Sequence, residues 1–514
     1  MIERLLSGEE MRLCDEYTVK TLGTPSRVLM ERAAECAAKE IISFGFDISR
    51  TLVVCGPGNN GGDGFAAARF LSQKARENGI EASIKVLFAS EEAFMTDECK
   101  LQRKLALQAG IEITNDLSSI SEKTLIVDAL FGIGLSRNVK GIFGSIIDAV
   151  NSSNSAVVSL DIPSGICSDT GAVMGTAIKA DLTVTFAYLK RGLCLYPGAS
   201  HCGRIVKADI GIGCDAVKDK LSVFTATQIP PFPLPPRSPD SNKGTYGKVL
   251  IIGGAKGMAG AAYLSAKGAY RMGAGLVKIF TTEENRGILQ MLLPEAVLIT
   301  YGESSTAKEI SAQLVSALAD ASAAVIGPGL SQSDTARIQL KTGISASKCP
   351  LIIDADALNL LSGSDCSHLK TQLLGRSVIT PHMGEMSRLT GLSIPNLKAD
   401  PIERARNFAA EHNIVCTMKD ARTVVSDGLR TYLNTTGCSA LSKGGSGDVL
   451  SGMIAALVSQ GMELFTASCV GVYIHGKAGR LAADTLGEYS VLAGEITDFI
   501  GSAIKNSLSQ TEKI

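Results

Sequence analysis

The chain carries no excess of charge: 50 Lys and Arg stand against 51 Asp and Glu, a formal net charge of −1. No long-range field therefore draws it to nucleic acid or to an anionic membrane. No two of its 13 Cys have C-x-x-C spacing, which argues against zinc-ribbon and thioredoxin-like chemistry. Cys55, Cys416 and Cys469 sit in apolar runs and read as small core residues, a usage that fits a reducing cytosol and a cytoplasmic location. No uninterrupted apolar run reaches membrane-spanning length. The opening "MIERLLSGEEMRLCDEYTVK" is amphipathic and acidic, without the basic and apolar regions of a signal peptide, so none is expected. Trp is absent, and no period is shared between the two halves.

What remains is the composition of an ordinary globular protein, 45% apolar and 20% charged. At 514 residues it is too long for one core, so two or more domains are expected. The 53 Gly suit many tight loops between strands and helices. Six of the 16 Pro fall in "IPPFPLPPRSPDSNKG", which can form neither a helix interior nor a central strand. The expected organisation is a domain over 1–228, a proline-rich linker over 229–241 and a domain over 242–514. Before the linker, "TLVVCG", "ASIKVLFA", "TLIVDAL", "AVVSLDI", "LTVTFA" and "RIVKADI" read as strands separated by helical segments such as 65–78 and 144–151. After it, "GKVLIIGG", "GLVKIFTT", "AAVIGPG", "PLIIDADAL", "SVITPH", "IVCTMK" and "RTVVSD" repeat the habit, with a long helix from Asp448 to Gln460. Both halves are thus α/β with mostly parallel sheets.

In such sheets ligands bind at the carboxyl ends of the strands. The first strand runs into "GPGNNGGDG", where Gly56, Gly58 and Gly61 satisfy G-x-G-x-x-G. A nicotinamide dehydrogenase would place an acid at the end of the next strand, but that strand ends in Ala89-Ser90. Asn59, Asn60 and Asp63 add oxygens that phosphate binding does not need. Asp128 and Ser164 add more at two neighbouring strand ends, and one carboxylate with neutral oxygens suits a weakly held hard cation. The plainer alternative is that these residues form turns and caps.

The motifs "PGNNGGDG", "DALFGIGLSR", "SLDIPSG" and "TVTFAYLKRGLCLYPGAS" resemble those of the NAD(P)H-hydrate epimerase family, over nearly the whole first half. That resemblance implies a Rossmann-like three-layer domain that uses K+ and interconverts the R and S forms of NAD(P)H hydrated at C6 of the nicotinamide ring. It implies that Asn59, Asn60, Gly61, Gly62, Asp63, Gly132, Ile133, Gly134, Leu135, Ser136, Arg137 and Asn138 hold the substrate. Asn60, Asp128 and Ser164 would hold the potassium, and Asp161 would move a proton.

In the second half, Gly444, Gly445, Ser446 and Gly447 lead into a helix. Their N–H groups and the helix dipole make an anion hole with Asp448 at its mouth. A carboxylate there can accept a proton from a hydroxyl attacking a phosphate; a glycine turn with an Asp cap is the simpler reading. "GGSGD" resembles the ribokinase-like G-x-G-D loop. Together with "VIGPGL", "IIDADAL" and "ITPHMGEMSRLTG" it is similar to the ADP- or ATP-dependent NAD(P)H-hydrate dehydratase family. The implied fold is a ribokinase-like α/β domain. Asp448 would be its catalytic base. Ala261, Gly329 and His382 would contact the hydrate. Lys419, Asp420, Ala421, Arg422, Thr423 and Gly447 would line the nucleotide site. The family has Lys-Gly where this chain has Lys419-Asp420.

The expectation is a two-domain repair enzyme acting on NADHX and NADPHX, with ADP and Mg2+ at the second site and no nucleic-acid or membrane partner. A homo-oligomer is allowed for. The rivals are a small-molecule kinase in the second half, or a non-catalytic NAD(P)-binding protein.

Overall fold

The structure, a computed structural model, describes residues 2–120, 123–215, 217–218, 222–226, 234–364 and 366–509. The linker expected at 229–241 lies outside the described residues over 229–233. The chain divides into two compact units, Arg4–Leu221 and Ser222–Ile514, the latter joined by Met1–Glu3. The division falls ahead of the proline run because strand Val223–Ala226 pairs with Thr431–Leu433.

The first unit holds a seven-stranded sheet, ordered Glu112–Thr114, Ser83–Phe88, Arg50–Cys55, Leu125–Ala129, Ala156–Leu160, Leu182–Phe186, Arg204–Ala208. Every pair in it is parallel. Alternate side chains feed two cores. Val53, Val127 and Val158 face helices Ser26–Phe44 and Asn59–Glu77, whereas Leu52, Val54 and Ile126 face helix Ile142–Ser152. This double burial explains why the strands read as continuous apolar runs. Strand order reverses between Arg50–Cys55 and Leu125–Ala129, which opens a crevice at their carboxyl ends.

Helix Asn59–Glu77 enters that crevice so closely that a Cβ on Gly61 would overlap the carbonyl oxygen of Gly56. Gly61→Ala is therefore expected to destabilise this unit by about 1–3 kcal/mol, read as a lowered denaturation midpoint. An unchanged midpoint would mean that the loop can yield.

In the second unit the sheet order is Val297–Tyr301, Leu276–Thr282, Lys248–Ile252, Ala323–Ile326, Leu351–Ile353, Ser377–Ile379, Val415–Met418, Val424–Ser426, Thr431–Leu433, Val223–Ala226. It is parallel through Val415–Met418, and the next two pairings are antiparallel. Its order also reverses, between Lys248–Ile252 and Ala323–Ile326. Helices Ala259–Arg271 and Ser446–Ser459 pack together there. Contact is close because Gly268 and Gly452 present no side chain: a Cβ on Gly268 would lie 2.5 Å from the Val449 carbonyl oxygen. The helix expected from Asp448 starts at Ser446, since Gly445 (φ 93°) makes a left-handed entry.

The strands expected from the sequence all form. Those missed, among them Ile2–Leu6, Leu189–Lys190 and Glu112–Thr114, have two to five residues, too few to show alternation. Among the described residues no helix is long and apolar enough to cross a membrane.

Candidate functional site

At the crevice of the first unit lies a cavity of about 750 Å³. Asn59, Asn60, Asp63, Gly132, Ile133, Gly134, Leu135, Ser136, Arg137 and Asp161 line it. Gly61 and Gly62 are buried in the first turns of the helix behind it, and Asn138 is exposed beyond the rim. The wall that the sequence did not suggest comes from helix Gly8–Lys20, which contributes Met11, Arg12 and Asp15. Leu5 and Leu6, just before that helix, pair in parallel with Leu189 and Lys190. Arg191 binds both carboxylate oxygens of Glu10 at 3.0 Å, tying the helix down.

Below the cavity Asp128 is buried and accepts from the Ser159 hydroxyl (2.8 Å), the Ser164 hydroxyl (2.5 Å), the Ser164 N–H (2.9 Å) and the Leu130 N–H (3.2 Å). Burial raises its carboxyl, and these bonds work against that rise. The Phe131 N–H donates to the Ser164 hydroxyl oxygen at 2.8 Å. A Cβ on the next residue, Gly132, would stand 3.6 Å from Asn60 Oδ1. Yet both Oδ1 and Nδ2 of Asn60 are buried without a hydrogen-bond partner among the described residues. A buried unpaired amide is costly, so this corner calls for a further partner. The available donors, one carboxylate with hydroxyl, amide and carbonyl oxygens, suit a hard cation of low charge.

Asp161 has a left-handed backbone (φ 66°), as does Ala187 (φ 58°) at the end of the adjoining strand. Ala355 (φ 51°) likewise closely follows a strand, Leu351–Ile353. Such conformations cost about 1–3 kcal/mol each and persist where surrounding structure imposes them. Asp161 Oδ1 accepts from the Phe186 N–H at 3.3 Å and from Lys190 Nζ. Lys190 is fully buried and also donates to the Thr185 hydroxyl and the Phe186 carbonyl, both at 2.9 Å. Around this pair stand two more carboxyls. Burial, then Asp161 and Asp15, push Asp63 well above the ordinary carboxylate range. Burial and then Asp161 push Asp15 up to about 6.

In the second unit Asp448 is the third residue of helix Ser446–Ser459. The N–H groups of Gly447 and Asp448 have no acceptor among the described residues. Lys419 Nζ donates to buried Asp354 at 2.9 Å, and a Cβ on Gly447 would also lie 2.9 Å from that ammonium. Burial, then Asp354, raise Asp448 to about 7, with Lys419 opposing. Glu385 is buried and raised to about 7, first by burial, with Lys419 opposing. Burial works against the charge on Lys419, but Asp354, Glu385 and Asp448 outweigh it. One ammonium thus serves several carboxyls beside an N–H cradle.

His382 caps helix Met383–Thr390: its Nδ1 accepts from the Gly384 N–H at 2.9 Å, and its own N–H donates to Glu385 at 2.8 Å. Burial and then Lys419 lower its pKa, which favours the neutral ring. His382 also bridges to Lys419 through the backbone. Gly329 (φ 56°) and Ala261 come together, 3.0 Å separating the latter's Cβ from one built on the glycine. Asp420, where the family has Gly, has no left-handed geometry and pairs with Lys398 at 3.0 Å. Arg422 donates to the Thr435 carbonyl and Thr423 accepts from the Asn434 N–H, both at 2.9 Å, while Ala421 is exposed.

A model described as NAD(P)H-hydrate dehydratase matches residues 249–501, and one described as YjeF-related protein N-terminus matches 26–192. The bifunctional NAD(P)H-hydrate repair enzyme Nnr of Thermofilum pendens is 35% identical, over 96% of this chain and 95% of its own length. The chain belongs to the bifunctional NAD(P)H-hydrate repair enzyme family. The repair enzyme Nnr of Escherichia coli K12 is also 35% identical, over 95% of this chain and 92% of its own. A solved ADP/ATP-dependent NAD(P)H-hydrate dehydratase from Bacillus subtilis, co-crystallised with ATP/Mg2+, is 31% identical with a TM-score of 0.46, covering 53% of this chain and 94% of that one.

Within this repair family member, five residues at the two sites escaped the sequence reading: Asp15, Lys190, Asp354, Glu385 and His475. Asp354 and Lys190 stand inside the motifs "IIDADAL" and "TVTFAYLKRG", yet their partners are 65 and 29 positions away. His475, buried in helix Leu464–Leu486, lies 3.3 Å from the Ser446 hydroxyl, and burial followed by Lys419 lowers it to about 4. Nothing in its apolar surroundings marked it.

Proposed function

We propose that the 1–228 region interconverts the R and S hydrates of NADH and NADPH, and that the 242–514 region dehydrates the S form. ADP is the proposed phosphoryl donor, with AMP and phosphate released. The observation that carries this reading is 35% identity to bifunctional repair enzymes over nearly the whole chain. In the first, Asp161 is the proposed proton-transfer group. The unpartnered Asn60 amide, Asp128 and Ser164 fit potassium and would hold it. When bound, K+ would supply positive charge against the carboxylates of the crevice.

In the second, the ring hydroxyl is a poor leaving group until phosphorylated. Asp448 takes its proton, and the N–H groups of Gly447 and Asp448 hold the phosphoryl charge. Lys419 to Thr423 is the proposed nucleotide edge. Ala261, Gly329 and His382 form the proposed hydrate edge. Among the described residues no three His, Cys, Asp or Glu side chains form a ready metal site. Mg2+ carried by nucleotide phosphates needs only one or two carboxylates, and Asp354 and Glu385 would supply them; when bound it would neutralise phosphate charge. A cytoplasmic location is supported by thirteen free cysteines.

The test is incubation of mixed R and S hydrates with ADP and Mg2+, with and without K+. With K+, dihydronicotinamide absorbance is expected to return for both epimers, with release of phosphate. Without K+, only the S portion returns promptly. A stable phosphorylated product with no regained absorbance would instead make the second domain a kinase.

A further inference from the structure

We infer that Lys190 is a positioning residue of the epimerase site: it clamps Asp161 so that one carboxylate oxygen is held and the other is left to meet substrate. This rests on the epimerase reading of the first domain. The Lys190 ammonium spends its three N–H donors on Asp161 Oδ1, the Thr185 hydroxyl and the Phe186 carbonyl. Thr185 and Phe186 end one strand and Asp161 follows its neighbour, so a single side chain ties two strand ends together. Asp161 lines the cavity, and its Oδ2 makes no hydrogen bond among the described residues; Lys190 is fully buried and does not line the cavity. Isolated, a buried ammonium would be strongly unfavourable. Here it is satisfied through Asp161 and that adjoining strand, where Asp161 and Ala187 both have left-handed backbone.

The clamp has a chemical purpose. C6 of the hydrated ring bears a hydroxyl and the ring nitrogen, and inverting it needs no redox partner. The O–H proton passes to Asp161 Oδ2, and the oxygen's electron pair forms a C6=O bond. The C6–N1 bond breaks with its pair moving to N1, which takes a proton from the Asp63 carboxyl across the same cavity. Rotation presents the other carbonyl face, and the reverse steps close the ring and return both protons. Asp161 must therefore start as a carboxylate, and Asp63 as an acid. Asp161 accepts from the Lys190 ammonium, and the burial of Asp63 favours its acid form. Asp15 and Arg12 from the facing helix, and Arg137 at the rim, are the other charged groups lining the cavity.

The experiment measures R/S interconversion with K+ and no ADP, in the full chain and in Lys190→Met, Asp161→Asn and the double variant. In Lys190→Met, kcat is expected to fall about 100-fold with KM little changed. The double variant is expected to be no slower than Asp161→Asn, because Lys190 acts through that carboxylate. Losses that multiply in the double variant, or an undiminished kcat in Lys190→Met, would overturn the inference. ADP-dependent dehydration of the S hydrate and the melting curve report folding. Should Lys190→Met not fold, Lys190→Gln, which keeps a donor without the charge, is held to the same outcomes. A wild-type chain that interconverts nothing defeats the epimerase reading itself, whereas an active wild type with fully active variants defeats only the role of Lys190.

Discussion

Asp448→Asn is expected to lose S-hydrate dehydration by about 1,000-fold while R/S interconversion continues, because an amide cannot accept the hydroxyl proton. Asp448 belongs to a crowded set: Asp354, Glu385 and Asp448 share the field of Lys419. In the free protein burial, and then the neighbouring Asp354, hold Asp448 at about 7 against an ordinary 3.8, with Lys419 opposing. A carboxyl raised in the folded state contributes stability that is full below its unfolded pKa near 3.8 and is lost as pH rises through about 7. Asn removes the ionisation, so Asp448→Asn melts higher than wild type at pH 8 and close to it at pH 4. Activity and stability thus move in opposite directions, as expected where function demands an unfavourable charge. Melting curves at the two pH values, beside the dehydration assay, check it. A variant that keeps dehydration would remove Asp448 from the chemistry.

Asp161→Asn is the counterpart in the first domain. Interconversion is expected to fall about 1,000-fold, with dehydration of pure S hydrate unaffected. The diagnostic is a mixture of both epimers with ADP, Mg2+ and K+: the wild type consumes all of it, and the variant stops when the S portion is spent. Full consumption by the variant would mean that the hydroxyl proton goes not to Asp161 but to another carboxyl lining that cavity, Asp15 or Asp63.

Much of both crevices was legible because their polar, glycine-rich loops are contiguous. "GPGNNGGDG" and "GGSGD" each join a glycine-rich turn to a helix start, and local spacing is enough to expect converging N–H groups. Asn60 was legible as an oxygen donor, but not as an amide buried without a partner. That follows only when Gly132, far along the chain, packs against it. His382 illustrates the reverse: its place at a strand end suggested a ligand contact, and folding also makes it the cap of its own helix.

By itself the sequence determined the two α/β halves, the order of the main strands and the loops that carry the polar residues. Those features depend on short-range periodicity and on glycine, which act within a few residues of chain. Tertiary structure alone decided which charges meet: Lys190 with Asp161, Lys419 with Asp354, and Asp448 beside Asp354 and Glu385. A carboxyl's protonation depends on its burial and on its neighbours in space, and parallel strands bring together residues that the sequence keeps far apart.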